Sequence, residues 1–244
     1  MKKLTTTVIL ALLCLTINAQ TFISTNSNWK YKDDGSNQGT AWRANGFNQT
    51  SWSSGNAQLG YGDGDETTVV NSGPSGSYYA TTYFRQEFNV ANPGSIYSLD
   101  IDLVVDDGAV VYLNGVELFR QGMPTGTVSY NTYANFTASG TDESSYTAHN
   151  GLPSSALLSG TNVLAVEVHQ INATSTDISF NLGMEAGAIP GQPNVTRGPY
   201  LQMANSTSIL VKWRTDISSN AIVKYGTNPA NLNQSVVVGS SAAE

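Results

Sequence analysis

Apolar and polar residues alternate with a period of two along much of the chain, the spacing that turns one face of a strand to a core and the other to water. In TTYFRQEFNV, Phe84, Phe88 and Val90 share a face with Thr82 and Gln86. In SLDIDLVV, Leu99, Ile101, Leu103 and Val105 face one way, and Asp100 and Asp102 the other. NVLAVEVHQ groups Leu164, Val166 and Val168, and DISFNLGM groups Ile178, Phe180, Leu182 and Met184. In AVVYLNGVELF, Asn114-Gly115 separates two apolar runs. That dipeptide tolerates the positive φ of a type I′ turn and predicts a tight hairpin. No stretch carries a convincing helical period. The pattern predicts an all-β chain with an antiparallel β-sandwich over residues 22–186.

Beyond the sandwich, AGAIPGQPN holds two prolines and two glycines. Residues 187–194 therefore read as a linker. Ile209, Val211 and Trp213 then alternate with Leu210, Lys212 and Arg214, and Ala221, Val223 and Tyr225 repeat the pattern. SVVVG is a candidate third strand. Three strands bury little surface and need a facing sheet. Residues 195–244 are thus expected to be an incomplete β-sandwich whose covering half lies outside the sequence.

Composition supports this reading. Charged residues make up 12% of the chain, against roughly 25% in an average domain. Gly, Ser, Thr and Asn suit strands joined by turns. The first 19 residues stand apart. Lys2 and Lys3 precede the apolar run LTTTVILALLCLTI, and Ala19 offers a small residue at a cut site. This is the pattern of a secretory signal peptide, too short for a membrane span, and it implies a secreted or periplasmic protein. Cys14 follows Leu13, where a lipoprotein signal calls for a small residue. Cleavage would leave no cysteine and nine Lys and Arg against 18 Asp and Glu, a net charge of −9. Such a chain repels nucleic acid and anionic membranes. Neutral sugars, cations and other proteins remain as partners.

Among polar clusters, GYGDGDE is the sharpest. Asp63, Asp65 and Glu66 offer hard oxygens on a Gly-rich loop, the ligand chemistry of Ca²⁺. No EF-hand spacing follows, and a solvated turn is the alternative. Asp106, Asp107 and Gly108 read as a turn between strands. Glu167 and His169 share one face of a strand, their Cβ atoms about 7 Å apart, and an exposed strand face is expected. His149 falls in the loop AHNG, and these ligands are too few for a transition-metal site. Trp29, Trp42, Trp52, Tyr78, Tyr79 and Tyr83 could stack on sugar rings or fill the core. No serine lies in a recognisable nucleophile motif, so no catalytic residue is assigned.

Two resemblances add to this. AWRANGFNQTSWSSGNAQLGYGDGDET, TTYFRQEFNV, DDGAVVYLNGVELFR and GTNVLAVEVHQ together resemble the galactose-binding-like jelly rolls of secreted bacterial enzymes. They are also similar to the sugar-binding jelly roll of family 2 glycoside hydrolases. The resemblance implies a jelly-roll β-sandwich that serves as a binder or a spacer. RGPYLQMANSTSILVKWRTDISSNAIVKYGT, residues 197–227, resembles the start of the fibronectin-III-like N-terminal domain of purple acid phosphatases. In that family a metallophosphoesterase domain with a two-metal centre follows. None of its Gly-Asp-x-x-Tyr or Gly-Asn-His-Glu blocks occurs here.

The sequence therefore predicts an N-terminal accessory region of a secreted purple-acid-phosphatase-like hydrolase, inactive without its covalently continuous catalytic domain. The alternative is a stand-alone secreted module that binds carbohydrate or a cell-surface glycan.

Overall fold

The computed structural model describes residues 20–136, 144–188, 195–203, 205, 208–216, 221–225 and 234–238. The expected signal peptide and linker residues 189–194 lie outside the described residues. The described residues are almost entirely strands and turns. Two short 3₁₀ turns, Ala41–Arg43 and Pro93–Ser95, are the helical pieces among them. No helix among the described residues is long and apolar enough to cross a membrane.

Residues 20–188 belong to one compact unit, a sandwich of two six-stranded sheets. In chain order its strands are β1 Thr21–Ile23, β2 Asn28–Lys32, β3 Ser53–Asn56, β4 Leu59–Tyr61, β5 Thr68–Val69 and β6 Thr81–Val90. There follow β7 Ser98–Asp106, β8 Gly108–Leu113, β9 Val116–Gln121, β10 Thr147–Pro153, β11 Gly160–His169 and β12 Ile178–Ala186. One sheet runs β10-β7-β12-β4-β5, with β1 also paired to β12. The other runs β3-β2-β6-β11-β8-β9. All pairs are antiparallel except β4–β5.

The period-two alternation sets which face is buried. Phe84, Phe88, Leu99, Ile101, Leu103, Leu164, Val166, Phe180 and Leu182 meet between the sheets. Phe180 stacks on Phe84 at 4.2 Å and meets Trp29 edge-on at 4.9 Å. Each such large side chain contributes about 1.5–3 kcal/mol by leaving water. The predicted hairpin is present: β8 and β9 join through Asn114 (φ 50°) and Gly115 (φ 89°). The Asn114 amide also donates to the Ala156 carbonyl and to Asn162 Oδ1, both at 2.8 Å.

A second core was not foreseen. The opposite face of β6, β11 and β8 carries Tyr83, Val110, Tyr112, Val163 and Ala165, all buried. Trp42, Trp52, Met123 and Ala134 cover them, with Phe47, Val128 and Tyr130 packed alongside. The covering residues come from two long connections, one before β3 and one after β9. The expected exposed face of β11 is therefore overturned: Glu167 is 1% exposed and His169 is 0%.

Asp106 and Asp107, expected in a turn between strands, are each 2% exposed. Asp107 Oδ2 accepts the Ile171 amide at 2.7 Å, so this corner is packed beneath the β11–β12 connection.

The remaining strands belong to a second unit. β13 Val195–Gln202 pairs with β14 Leu210–Thr215, and β15 Ala221–Tyr225 pairs with β16 Gln234–Val238. Among the described residues each sheet has two strands. Val211 and Trp213 are half-buried, whereas Leu201, Met203, Ile209, Leu210 and Val236 are exposed.

Candidate functional site

The acidic loop lies between β4 and β5. Gly62 (φ 112°) and Gly64 (φ 80°) bend it sharply. A Cβ on Gly62 would sit 2.6 Å from the Asp177 Cβ and 2.7 Å from the Thr176 carbonyl oxygen. The bend brings one carboxylate oxygen each of Asp63, Asp65 and Glu66 within 4.8 Å of one another. Asp63 and Asp65 are exposed and Glu66 is half-buried.

Their orientations are fixed by hydrogen bonds. The Asp63 and Gly64 amides donate to the two Glu66 carboxylate oxygens, each at 3.0 Å. The Ser179 hydroxyl donates to Asp63 Oδ2 at 3.2 Å. Gln58 Nε2 donates to Asp65 Oδ1 at 3.1 Å and to the Ser179 hydroxyl at 2.9 Å. Partial burial raises the Asp63 pKa; the Ser179 hydroxyl opposes this, while Asp177, Asp65 and Glu66 reinforce it. The three residues picked from sequence thus converge, with oxygen-only ligands of the kind a hard cation takes.

A second polar group is buried in the outer core. Glu167 Oε1 accepts from Arg43 Nη2 at 3.0 Å and from the Tyr112 hydroxyl at 2.6 Å. Arg43 also lies over the Tyr112 ring, 4.1 Å from its centroid. His169 Nε2 lies 3.6 Å from Glu167 Oε2, too long for a hydrogen bond. Burial pushes the Glu167 pKa up, but His169, Tyr112 and Arg43 together bring it below the ordinary value. Burial and the Glu167 carboxylate both raise the Tyr112 pKa. Arg85 is 0% exposed and donates to the Trp42 and Ala44 carbonyls and to Gln49 Oε1. Burial lowers its pKa to about 10.

The aromatics divide. Trp29, Trp42, Trp52 and Tyr83 are at most 4% exposed, so they fill cores and cannot stack on a sugar in this conformation. Tyr78 and Tyr79 are half-buried. His149 stacks on Phe119 at 3.9 Å and bonds Gln121 through Nε2 at 2.8 Å. It lies on the opposite sheet from Glu167 and His169. On the outer face of β7 and β12 is an open hollow of about 310 Å³, lined by Asp100, Asp102, Asn150, Glu185 and the bare backbone of Gly183. Sequence reading put Asp100 and Asp102 on this outer face but gave them no site.

The second core did leave a sign in the sequence. A strand covered on both faces loses its alternation and reads as a continuous apolar run. AVVYL and NVLAV are such runs.

Fold and site together define an all-β sandwich protein with a carboxylate-lined loop. No protein-family model matches the chain, and no curated protein matches it. Solved structures do. One is a β-glucuronidase from an uncultured Clostridium species, 14% identical with a TM-score of 0.44, the match covering 96% of this chain and 42% of that one. Another is the Ruminococcus gnavus β-glucuronidase in complex with C6-substituted uronic isofagomine, at 12%, 0.43, 93% and 39%. The same enzyme in its apo form gives 11%, 0.42, 93% and 39%. The chain spans about two-fifths of their length. TM-scores below 0.5 at such identities give no ground for transferring an activity.

Proposed function

We propose that this chain is the non-catalytic β-sandwich region of an exported hydrolase, a spacer or binding module steadied by Ca²⁺ at Asp63, Asp65 and Glu66. The observation that carries this reading is the convergence of the three carboxylates within 4.8 Å on a glycine-bent loop. The finer assignments extend the sequence resemblances. Residues 22–186 are a galactose-binding-like jelly roll, and residues 195–244 begin a purple-acid-phosphatase-type N-terminal domain. On this reading a two-metal catalytic centre belongs to the parent enzyme, and the export signal sends the chain outside the cytoplasm.

Calcium titration of the purified chain tests the proposal. A ligand at 100 times its dissociation constant adds about 2.7 kcal/mol to folding, a rise in Tm of roughly 5–10 °C for a domain of this size. Asp63→Asn should abolish the rise without lowering the metal-free Tm. An unchanged Tm at millimolar calcium would remove the cation from the account.

A second reading has its own observation. The outer hollow presents Asp100, Asp102, Asn150 and Glu185, groups able to bond sugar hydroxyls. On this reading the module binds a neutral glycan by hydrogen bonds. Glycan-array binding that is lost in Asp102→Ala favours it, and an array without signal leaves the spacer.

A further inference from the structure

Asparagine is followed by glycine at three places, Asn45-Gly46, Asn114-Gly115 and Asn150-Gly151. A glycine has no side chain to keep its backbone nitrogen away from the preceding asparagine Cγ. The fold holds the three asparagines differently. Asn114 is clamped: Nδ2 donates to the Ala156 carbonyl and to Asn162 Oδ1, and Oδ1 accepts the Val163 amide at 2.9 Å. Asn45 Nδ2 donates to the Thr161 carbonyl at 2.7 Å. Asn150 is exposed, and its side chain makes no hydrogen bond among the described residues.

The backbone at Asn150 also departs from regular pairing. β10 is an edge strand on β7. His149 pairs with Ile101 and Leu152 with Leu99, so Asn150 and Gly151 together face Asp100. Two residues against one make a bulge, and Gly151 turns through it with a φ of 72°. Its amide donates to a side chain, Asp100 Oδ1, at 2.8 Å. Among the described residues, no side chain accepts the Gly46 or Gly115 amide. A carboxylate at 2.8 Å is within reach to take a proton from a reacting group.

We propose that Asn150-Gly151 is a self-modification site, where the Gly151 nitrogen attacks the Asn150 side-chain amide, Asp100 accepts the proton, and Asn150 is deamidated. The bond from the Gly151 nitrogen to Asn150 Cγ forms as the Gly151 proton passes to Asp100. The Cγ–Nδ2 bond then breaks, and Nδ2 departs with that proton as ammonia. Water opens the cyclic imide at either carbonyl, leaving aspartate or isoaspartate. Asn150 lines the outer hollow with Asp100, Asp102 and Glu185, so the reaction exchanges an amide there for a fourth carboxylate. The isoaspartate product also adds a methylene to the backbone, at a point where the ladder is already interrupted.

Tandem mass spectrometry of peptides from the full folded chain, incubated at neutral pH, follows each asparagine separately through the mass gain of amide-to-acid conversion. Asn150 should react first, at least about tenfold ahead of Asn45 and Asn114, which lack the carboxylate and must first release hydrogen bonds. Asp100→Asn should slow Asn150 about tenfold, less than a strong catalytic base supplies because a carboxylate is a weak one, and should leave Asn45 unaffected. In the chain unfolded by urea the three sites should react at similar rates, since the fold makes the difference. Reaction first at Asn45 or Asn114, no conversion at Asn150, or an order that persists in urea overturns the proposal. So does an Asn150 rate that Asp100→Asn leaves unaltered or raises, which would make the Asp100 contact a brake on the reaction.

Discussion

At the scale of single residues, the pair that governs the outer core is Arg43 and Glu167. Both are largely removed from water, with side-chain exposures of 16% and 2%. Breaking a buried pair leaves an uncompensated charge and costs about 3–5 kcal/mol. Arg43→Ala is expected near the lower end, because its guanidinium keeps some contact with solvent. Chemical denaturation of the two proteins should show a loss of about 3 kcal/mol, and an unchanged denaturation midpoint would mean the pair is energetically idle. The same pair sets a pH dependence. The folded-state pKa of Glu167 is depressed, burial being outweighed by its three partners. Its contribution is therefore full above the unfolded carboxylate pKa, about 4.3, and is lost as pH falls through the lower folded value. The acid limb of a stability–pH curve should flatten in Glu167→Gln; a limb identical to the parent's would assign acid sensitivity to other carboxylates.

At the scale of elements, the strand-by-strand pattern was legible and the layer above it was not. The alternation of Leu99, Ile101, Leu103 and Val105 in β7, and of Phe180 and Leu182 in β12, needed only local spacing, and those residues lie in the main core. The Asn114-Gly115 hairpin was equally local. Burial of Glu167 and His169 was not, because their cover comes from connections distant in sequence, such as the one that supplies Trp42. Polar residues on an alternating strand read as solvent-facing unless the chain elsewhere supplies a roof. The acidic loop was legible as a cluster because its members are near neighbours in sequence. The Ser179 and Gln58 groups that orient it come from β12 and the residue before β4, and no local motif marks them. Close approach of elements also makes a firm prediction. A Cβ on Gly60 of β4 would overlap the Ile178 carbonyl oxygen of β12. Backbone cannot yield as a side-chain tip can, so Gly60→Ala should destabilise by about 3 kcal/mol. A thermal melt that overlays the parent's would show that β4 can shift away.

At the scale of the whole sandwich, two cores share three strands. β6, β11 and β8 present Phe84, Leu164 and Val111 to the inner core, and Tyr83, Ala165 and Tyr112 to the outer one. Neither core can lose its strands without unroofing the other. Residues 20–188 should therefore unfold in one cooperative transition. Tryptophan reports on each core separately: Trp29 lies in the inner core, Trp42 and Trp52 in the outer. With Trp213 replaced by Phe throughout, and Trp42 and Trp52 replaced by Phe in one variant and Trp29 in another, fluorescence melts of the two proteins should each coincide with the loss of far-ultraviolet circular dichroism. Removal of outer-core contacts by Arg43→Ala should then lower the Trp29 transition as well, although the two residues occupy different layers. An outer core that melts first, with the Trp29 signal and the sheet signal intact, would show that the connections over β6, β11 and β8 form a separable cover and not a second core.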